Sequence, residues 1–186
     1  MGAGQLEVNK LEGDAMFMIA ERRNDGWEAT GSEIGRRLEG FIAAFDTKLT
    51  ELANSNICDC IACQQMVTLR LKIIGHYGAA VRSKVAGFDE LSGVDVIVLH
   101  RLLKNEVSCS EYILLTEPAF RFLSPPGEYV AHRERYDDVG DIPLRLRPLT
   151  ASVPAAAPRT FSLTDVVRKI TYDIRYLLAR QKHPAQ

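Results

Sequence analysis

One stretch limits the folds open to this chain more than any other. Between Ile34 and Leu52 the residues Ile34, Leu38, Phe41, Ile42, Phe45, Leu49 and Leu52 recur at helical spacing, which predicts one long amphipathic helix. Thr30-Gly-Ser-Glu33 has capping-box spacing and marks its start, after a polar stretch from Arg22 to Gly31 that reads as loop. Asn54-Ser-Asn56 marks its end. Most of a helix's stability comes from packing its apolar face, so this stripe requires a sheet or other helices to lie on. With 186 residues, 46% of them hydrophobic, the chain can supply one core of ordinary size.

Most of the remaining pattern is strand. Leu6 to Leu11 alternates apolar and polar, Gly13-Asp14 is a turn pair, and Ala15 to Ala20 is an apolar run, so the three predict a β-hairpin. Val67, Leu69, Leu71 and Ile73 alternate with Thr68, Arg70 and Lys72 and predict another strand. Gly75-His-Tyr-Gly78 turns the chain into a strand from Ala79 to Val85, with Arg82 and Lys84 outward. Asp95 to Lys104 predicts a short helix with Val96, Leu99 and Leu103 on one side. Glu111 to Thr116 is strand, and Glu117 to Leu123 is a short helix stopped by Pro125-Pro126. Two more strands follow, Tyr129 to Arg135 and Ile142 to Arg147, joined by Asp137-Asp138 and Gly140-Asp141. Residues 5–149 thus form one domain, 150–160 an Ala/Pro-rich linker, and 161–182 a terminal amphipathic helix with Leu163, Val166, Val167, Ile170, Ile174 and Leu177. Strands and helices mixed in this order, with antiparallel pairs, predict an α+β fold with helices on one face of a sheet.

Charge and cysteine usage exclude some functions. A net charge of −1 gives no electrostatic case for nucleic acid or for an anionic membrane. No apolar run approaches the roughly 18–20 residues of a spanning helix, and no charged-then-apolar leader opens the chain, so the cytoplasm is the expected compartment. Three of the four cysteines crowd into Cys58-Asp-Cys60-Ile-Ala-Cys63, which fits thiols in a reducing compartment. Cys58, Cys60 and Cys63 are three candidate ligands for Zn²⁺, with Cys109 or a histidine as the fourth; the alternative is three small thiols packed where helix meets strand.

Two blocks carry a family signal. Val8-Asn-Lys-Leu-Glu-Gly-Asp-Ala-Met-Phe17 resembles the second-to-third strand hairpin of the class III adenylyl and guanylyl cyclases. Leu71-Lys-Ile-Ile-Gly-His-Tyr-Gly78, followed by Gly93-Val-Asp-Val-Ile-Val-Leu-His-Arg-Leu102, is similar to their strand ending in a His-x-Gly turn and the Gly-x-x-Val-Asn-x-x-x-Arg helix. The resemblance runs from about Leu6 to Arg147 and is closest to an uncharacterised bacterial branch of that superfamily. It implies a ferredoxin-like, nucleotide-cyclase-type sheet, mostly antiparallel, and sites shared between two copies of the chain. It further implies that Asp14 is one of two aspartates holding Mg²⁺ or Mn²⁺, that Lys10 and Glu90 contact a nucleotide base, and that Arg101 stabilises the phosphoryl transition state.

The chain departs from that pattern. Ile97 stands where the helix should carry asparagine, and the first strand with the second metal aspartate is expected before Leu6. Bland readings sit beside each site: Asp14 as a turn residue, Lys10 on a solvated face, Arg101 covering apolar surface or pairing with a carboxylate, and His76 and His100 as structural histidines. Three functions follow. The first is a non-catalytic cyclase-homology domain, a homodimer that binds a nucleotide or other ligand or a partner protein. The second is a nucleotide cyclase acting on ATP or GTP, completed by upstream sequence or a partner. The third is a small thiolate-metal protein.

Overall fold

The computed structural model describes residues 6–21, 27–56 and 60–150, together with 164, 167, 170 and 171. In chain order the elements are β1 (Glu7–Glu12), β2 (Ala15–Ile19), α1 (Trp27–Ser55), α2 (Ile61–Gln65), a 3-10 turn (Met66–Thr68), β3 (Lys72–Gly75), β4 (Val81–Val85), β5 (Phe88–Ser92), α3 (Val94–Leu102), β6 (Tyr112–Thr116), α4 (Glu117–Leu123), β7 (Val130–Tyr136) and β8 (Gly140–Pro148). They fall into two units, Met1–Phe41 with Leu71–Thr150 and Ile42–Arg70 with Ala151–Gln186. No helix among the described residues is long and apolar enough to cross a membrane.

In the first unit a four-stranded sheet has the order β3-β6-β8-β7, parallel between β3 and β6 and antiparallel elsewhere. β6 is central, and every residue from Tyr112 to Thr116 is buried. Alternation along the strands separates two faces. On one, Tyr112, Leu114, Ile142 and Leu144 pack with Leu102 of α3, which is 0% exposed. On the other, Leu115 reaches Gly75 beside Leu123 of α4, Arg145 pairs with Glu117 of α4, and Arg147 pairs with Glu39 of α1. Helices therefore lie against both faces, which corrects the expectation of one covered face. The apolar side chains of β6 point alternately both ways and need cover on both sides. β1 with β2 and β4 with β5 form two further antiparallel hairpins, each its own two-stranded sheet.

The molecule is thus an α+β protein with mostly antiparallel sheets, and most elements lie where periodicity put them. Four details differ. α1 begins at Trp27, so Thr30-Gly-Ser-Glu33 lies within the helix instead of capping it. Glu28 and Ala29 are good helix formers, and no breaker stands between Trp27 and Thr30. The strand expected from Val67 begins only at Lys72. Before it the chain closes on itself, with Leu69 N–H on Met66 O, Thr68 Oγ1 on Gln65 O, and Arg70 on the carbonyls of Val67 and Leu69. Leu102, not Leu103, is the buried leucine of α3, because Val98 and Leu102, one turn apart, are the side chains that meet the sheet core. β5 was not expected at all. It pairs with β4 through Ala86 and Gly87, whose φ of 51° and 88° make a left-handed two-residue turn.

In the second unit Leu49 of α1 and Val67 of the 3-10 turn are buried, and Ser55 closes α1 through Leu52 O. Residues 164, 167, 170 and 171 are helical, within the span expected for the terminal helix. The other residues of that expected span, and the linker from Ala151 onward, lie outside the described residues.

Candidate functional site

A bulge in β1 decides which side chains meet. In an unbroken strand Val8 and Lys10 would share a face. The register instead steps from Val8 opposite Met18 to Lys10 opposite Phe17, so the extra residue at Asn9 turns Lys10 to the other face. Lys10, Glu12 and Phe17 therefore stand together. Val8, Leu11 and Met16 are left on the opposite face, 55%, 69% and 58% exposed.

β5 and α3 complete the constellation. Lys10 Nζ lies 3.0 Å from Glu12 Oε1 and 3.3 Å from Glu90 Oε2 on β5. The same ammonium sits 5.9 Å from the centre of the Phe17 ring. That ring stacks on His100 of α3, with centroids 5.7 Å apart and planes within 3°. His100 Nδ1 in turn lies 3.5 Å from Glu12 Oε2. Hydrogen bonding to Glu12, and then to Glu90, holds the Lys10 ammonium above its ordinary pKa despite partial desolvation. An ion pair between Arg82 and Glu21 also ties β4 to the segment after β2. Chemically the cluster offers one ammonium donor, two carboxylate acceptors and a flat aromatic wall.

Lys10 and Glu90, named separately from the sequence and eighty residues apart, thus come into direct contact. Arg101 does not join them. Its Nε and Nη2 both donate to Asp138 Oδ2 in the β7–β8 turn, at 2.8 and 2.6 Å. Asp14 sits exposed in the β1–β2 turn, beside Gly13 at φ 63°. Ile97 is half-exposed on α3. Among the described residues no group of three or more His, Cys, Asp or Glu side chains could hold a metal ion. Cys58 lies outside the described residues. Cys60 is exposed at the N-cap of α2, and Cys63 is half-buried in its first turn. Cys109 packs against the sheet core beside Leu102 and Tyr112.

Glu12, Phe17 and His100 were not marked as site residues from the sequence, since each acquires its role only when the bulge and α3 bring it in. Asp95 was also missed. His76 Nε2 lies 2.9 Å from Asp95 Oδ1, His76 Nδ1 lies 3.1 Å from Thr116 Oγ1, and Ala79 N–H donates to Asp95 Oδ2 at 2.7 Å. This clamp joins the ends of β3 and β6 to the first turn of α3, the helix that carries His100.

Among known proteins, the family described as "Protein of unknown function (DUF2652)" matches residues 1–112. That span contains Lys10, Glu12, Phe17, Glu90 and His100. The chain is also 33% identical over 156 residues to "Uncharacterized protein Rv2561/Rv2562" of Mycobacterium tuberculosis (strain ATCC 25618 / H37Rv), covering 82% of this chain and 71% of that protein. No solved structure matches. The matched span takes in more than half of the sequence, and the relative aligns along most of both chains; this protein belongs to the DUF2652 family.

Proposed function

We propose that this chain is a cyclase-homology module, built on a ferredoxin-like, nucleotide-cyclase-type sheet, that binds a purine nucleotide without turning it over. The contact between Lys10 and Glu90 is the observation that carries this. A purine edge sets hydrogen-bond donors beside acceptors, and an ammonium next to a carboxylate is its complement. Phe17 and His100 add a planar surface on which a base can stack. Both charged groups are only partly exposed, so their bonds to a ligand compete with less water than on an open surface.

Two features favour binding over turnover. Cyclisation develops charge on the triphosphate, and the arginine that the resemblance assigns to it is bound twice by Asp138. Ile97 offers no hydrogen bond to a ribose, and loss of one preorganised transition-state donor costs about 10²–10³ in rate. Pairing of two copies belongs to the same proposal: the exposed Val8, Leu11 and Met16 form an apolar face on the hairpin whose other face holds Lys10.

Calorimetric titration of the full chain with ATP and with GTP tests the binding. One of them should bind, and Lys10→Ala or Glu90→Gln should weaken it at least about tenfold, or about 1.4 kcal/mol. No heat at millimolar nucleotide, or equal affinity in both variants, would sink the proposal. Incubation with ATP or GTP and Mn²⁺ tests the lack of turnover, and sustained cyclic product would refute that part. Sedimentation equilibrium of wild type and Leu11→Glu tests the pairing, for which a monomeric wild type is the adverse result.

A further inference from the structure

We infer that Cys60 and Cys63 form a reversible dithiol–disulfide pair, a redox-modification site that accepts low-molecular-weight disulfides. This does not depend on the nucleotide reading, because it rests on other residues in the second unit. Cys60 is the N-cap of α2, with extended backbone at φ −67° and ψ 152°, and Cys63 is the third residue of the helix. At a helix start the cap and third residues are neighbours, close enough that in a capping box each side chain reaches the other residue's backbone N–H. Here both positions carry sulfur. Residues three apart on a helix have Cβ atoms about 5–6 Å apart, and a disulfide draws them to about 3.5–4.5 Å. Closing the bond therefore takes an approach of about 1–2 Å, which the N-cap can supply because Cys60 lies outside the helical hydrogen bonding with extended backbone.

Exposure assigns the roles. Cys60 is exposed and meets the reagent; Cys63 is half-buried, and its carbonyl accepts from Asn56 Nδ2 at 3.4 Å, which holds it beside the end of α1. The Cys60 thiolate attacks one sulfur of a disulfide R–S–S–R, giving Cys60–S–S–R and releasing one thiolate R–S⁻. Cys63, as thiolate, then attacks the Cys60 sulfur, breaks the mixed disulfide and releases a second R–S⁻. Two electrons pass from the protein dithiol to the reagent, and the two protons lost by the cysteines are taken up by the two leaving thiolates. Excess dithiol reductant reverses both steps.

Redox titration of the full chain in glutathione buffers, followed by alkylation and peptide mapping, tests the inference. Alkylation at 60 and 63 should fall together as the buffer becomes oxidising, with a bond joining the two, and should return on adding excess dithiothreitol. Cys58→Ser should leave this unchanged, whereas Cys63→Ser should stop at one glutathione on Cys60. The inference is overturned if both positions stay alkylatable in oxidised glutathione, if the bond joins Cys58 or Cys109 instead, or if the purified protein carries stoichiometric zinc on these thiols. The wild-type map decides this even if a variant fails to fold.

Discussion

The Asp95 carboxylate accepts from Ala79 N–H and meets His76, which reaches on to Thr116, so one acidic side chain ties three strand ends to α3. Gly78 lies against it: a Cβ there would be 2.2 Å from Asp95 Cγ and 2.4 Å from Oδ2. With both carboxylate oxygens engaged, the side chain cannot move aside without losing partners. Gly78→Ala should therefore destabilise by about 1–3 kcal/mol. Asp95→Ala should cost a similar amount, about 1–3 kcal/mol, by leaving the Ala79 amide and His76 without their acceptor. Once Asp95 has been truncated, the methyl at position 78 has room, so the double variant should cost clearly less than the two single costs added. Urea unfolding of the four proteins measures this coupling, and strict additivity would mean that the clamp does not exist in solution. The residues of the clamp are visible in the sequence, but their pairing is not. His76 and Asp95 meet only because the chain runs out through β4 and β5 and returns.

At the scale of elements, α1 accepts the end of α4 through two glycines one turn apart. A Cβ at Gly31 would lie 2.4 Å from Phe122 O, and one at Gly35 would lie 2.1 Å from Leu123 O and 3.2 Å from Pro125 Cα. Backbone cannot yield as a side-chain tip can, so overpacking at Gly35, about 1–3 kcal/mol, outweighs the roughly 1 kcal/mol that alanine gains over glycine in a helix. Gly40, on the same helix, has nothing within 4 Å. Gly35→Ala should thus lower the thermal midpoint while Gly40→Ala raises it; shifts of the same sign would show that close approach to α4 does not decide the matter. Periodicity found α1, β7 and β8, the Gly13-Asp14 turn pair between two short runs found the first hairpin, and β6 was legible as a short apolar run, buried on both faces. Periodicity failed before β3, where side-chain and 3-10 bonds outcompete extension, and at β5, whose left-handed turn is made by Ala86-Gly87 without the usual Asn or Asp. Lys10 and Glu90 were legible through the family resemblance, whereas the bulge that turns Lys10 toward Glu90 is marked only by the two consecutive polar residues Asn9 and Lys10 between Val8 and Leu11.

For the whole molecule these groups set a window of pH stability. Asp95 is held below the usual carboxylate range by His76 and then by Ala79 N–H, and Glu117 by Arg145 and then Arg121. A lowered folded pKa means that the unfolded chain binds protons more readily. The stability these carboxylates contribute is present above about pH 4 and lost as pH falls through their folded values. The alkaline limb has the opposite origin. Among the described residues the buried Tyr136 hydroxyl has no hydrogen-bond partner, and desolvation, followed by the Glu134 and Glu106 carboxylates, pushes its pKa up; Glu12 raises that of Lys10. A raised folded pKa contributes stability that is complete below about pH 10 and lost as pH climbs through the folded value. The urea midpoint should therefore be level between about pH 5 and pH 9 and fall on either side. Asp95→Asn should flatten the acid side at some cost at neutral pH, since an amide cannot replace both acceptor oxygens. Tyr136→Phe should flatten the alkaline side at little or no cost at neutral pH, because it removes an unpaired buried hydroxyl and keeps the ring in the core. If Tyr136→Phe instead leaves the alkaline fall where it was, while costing more than about 1 kcal/mol at neutral pH, that hydroxyl has a partner in solution and the upper edge of the window belongs to other groups.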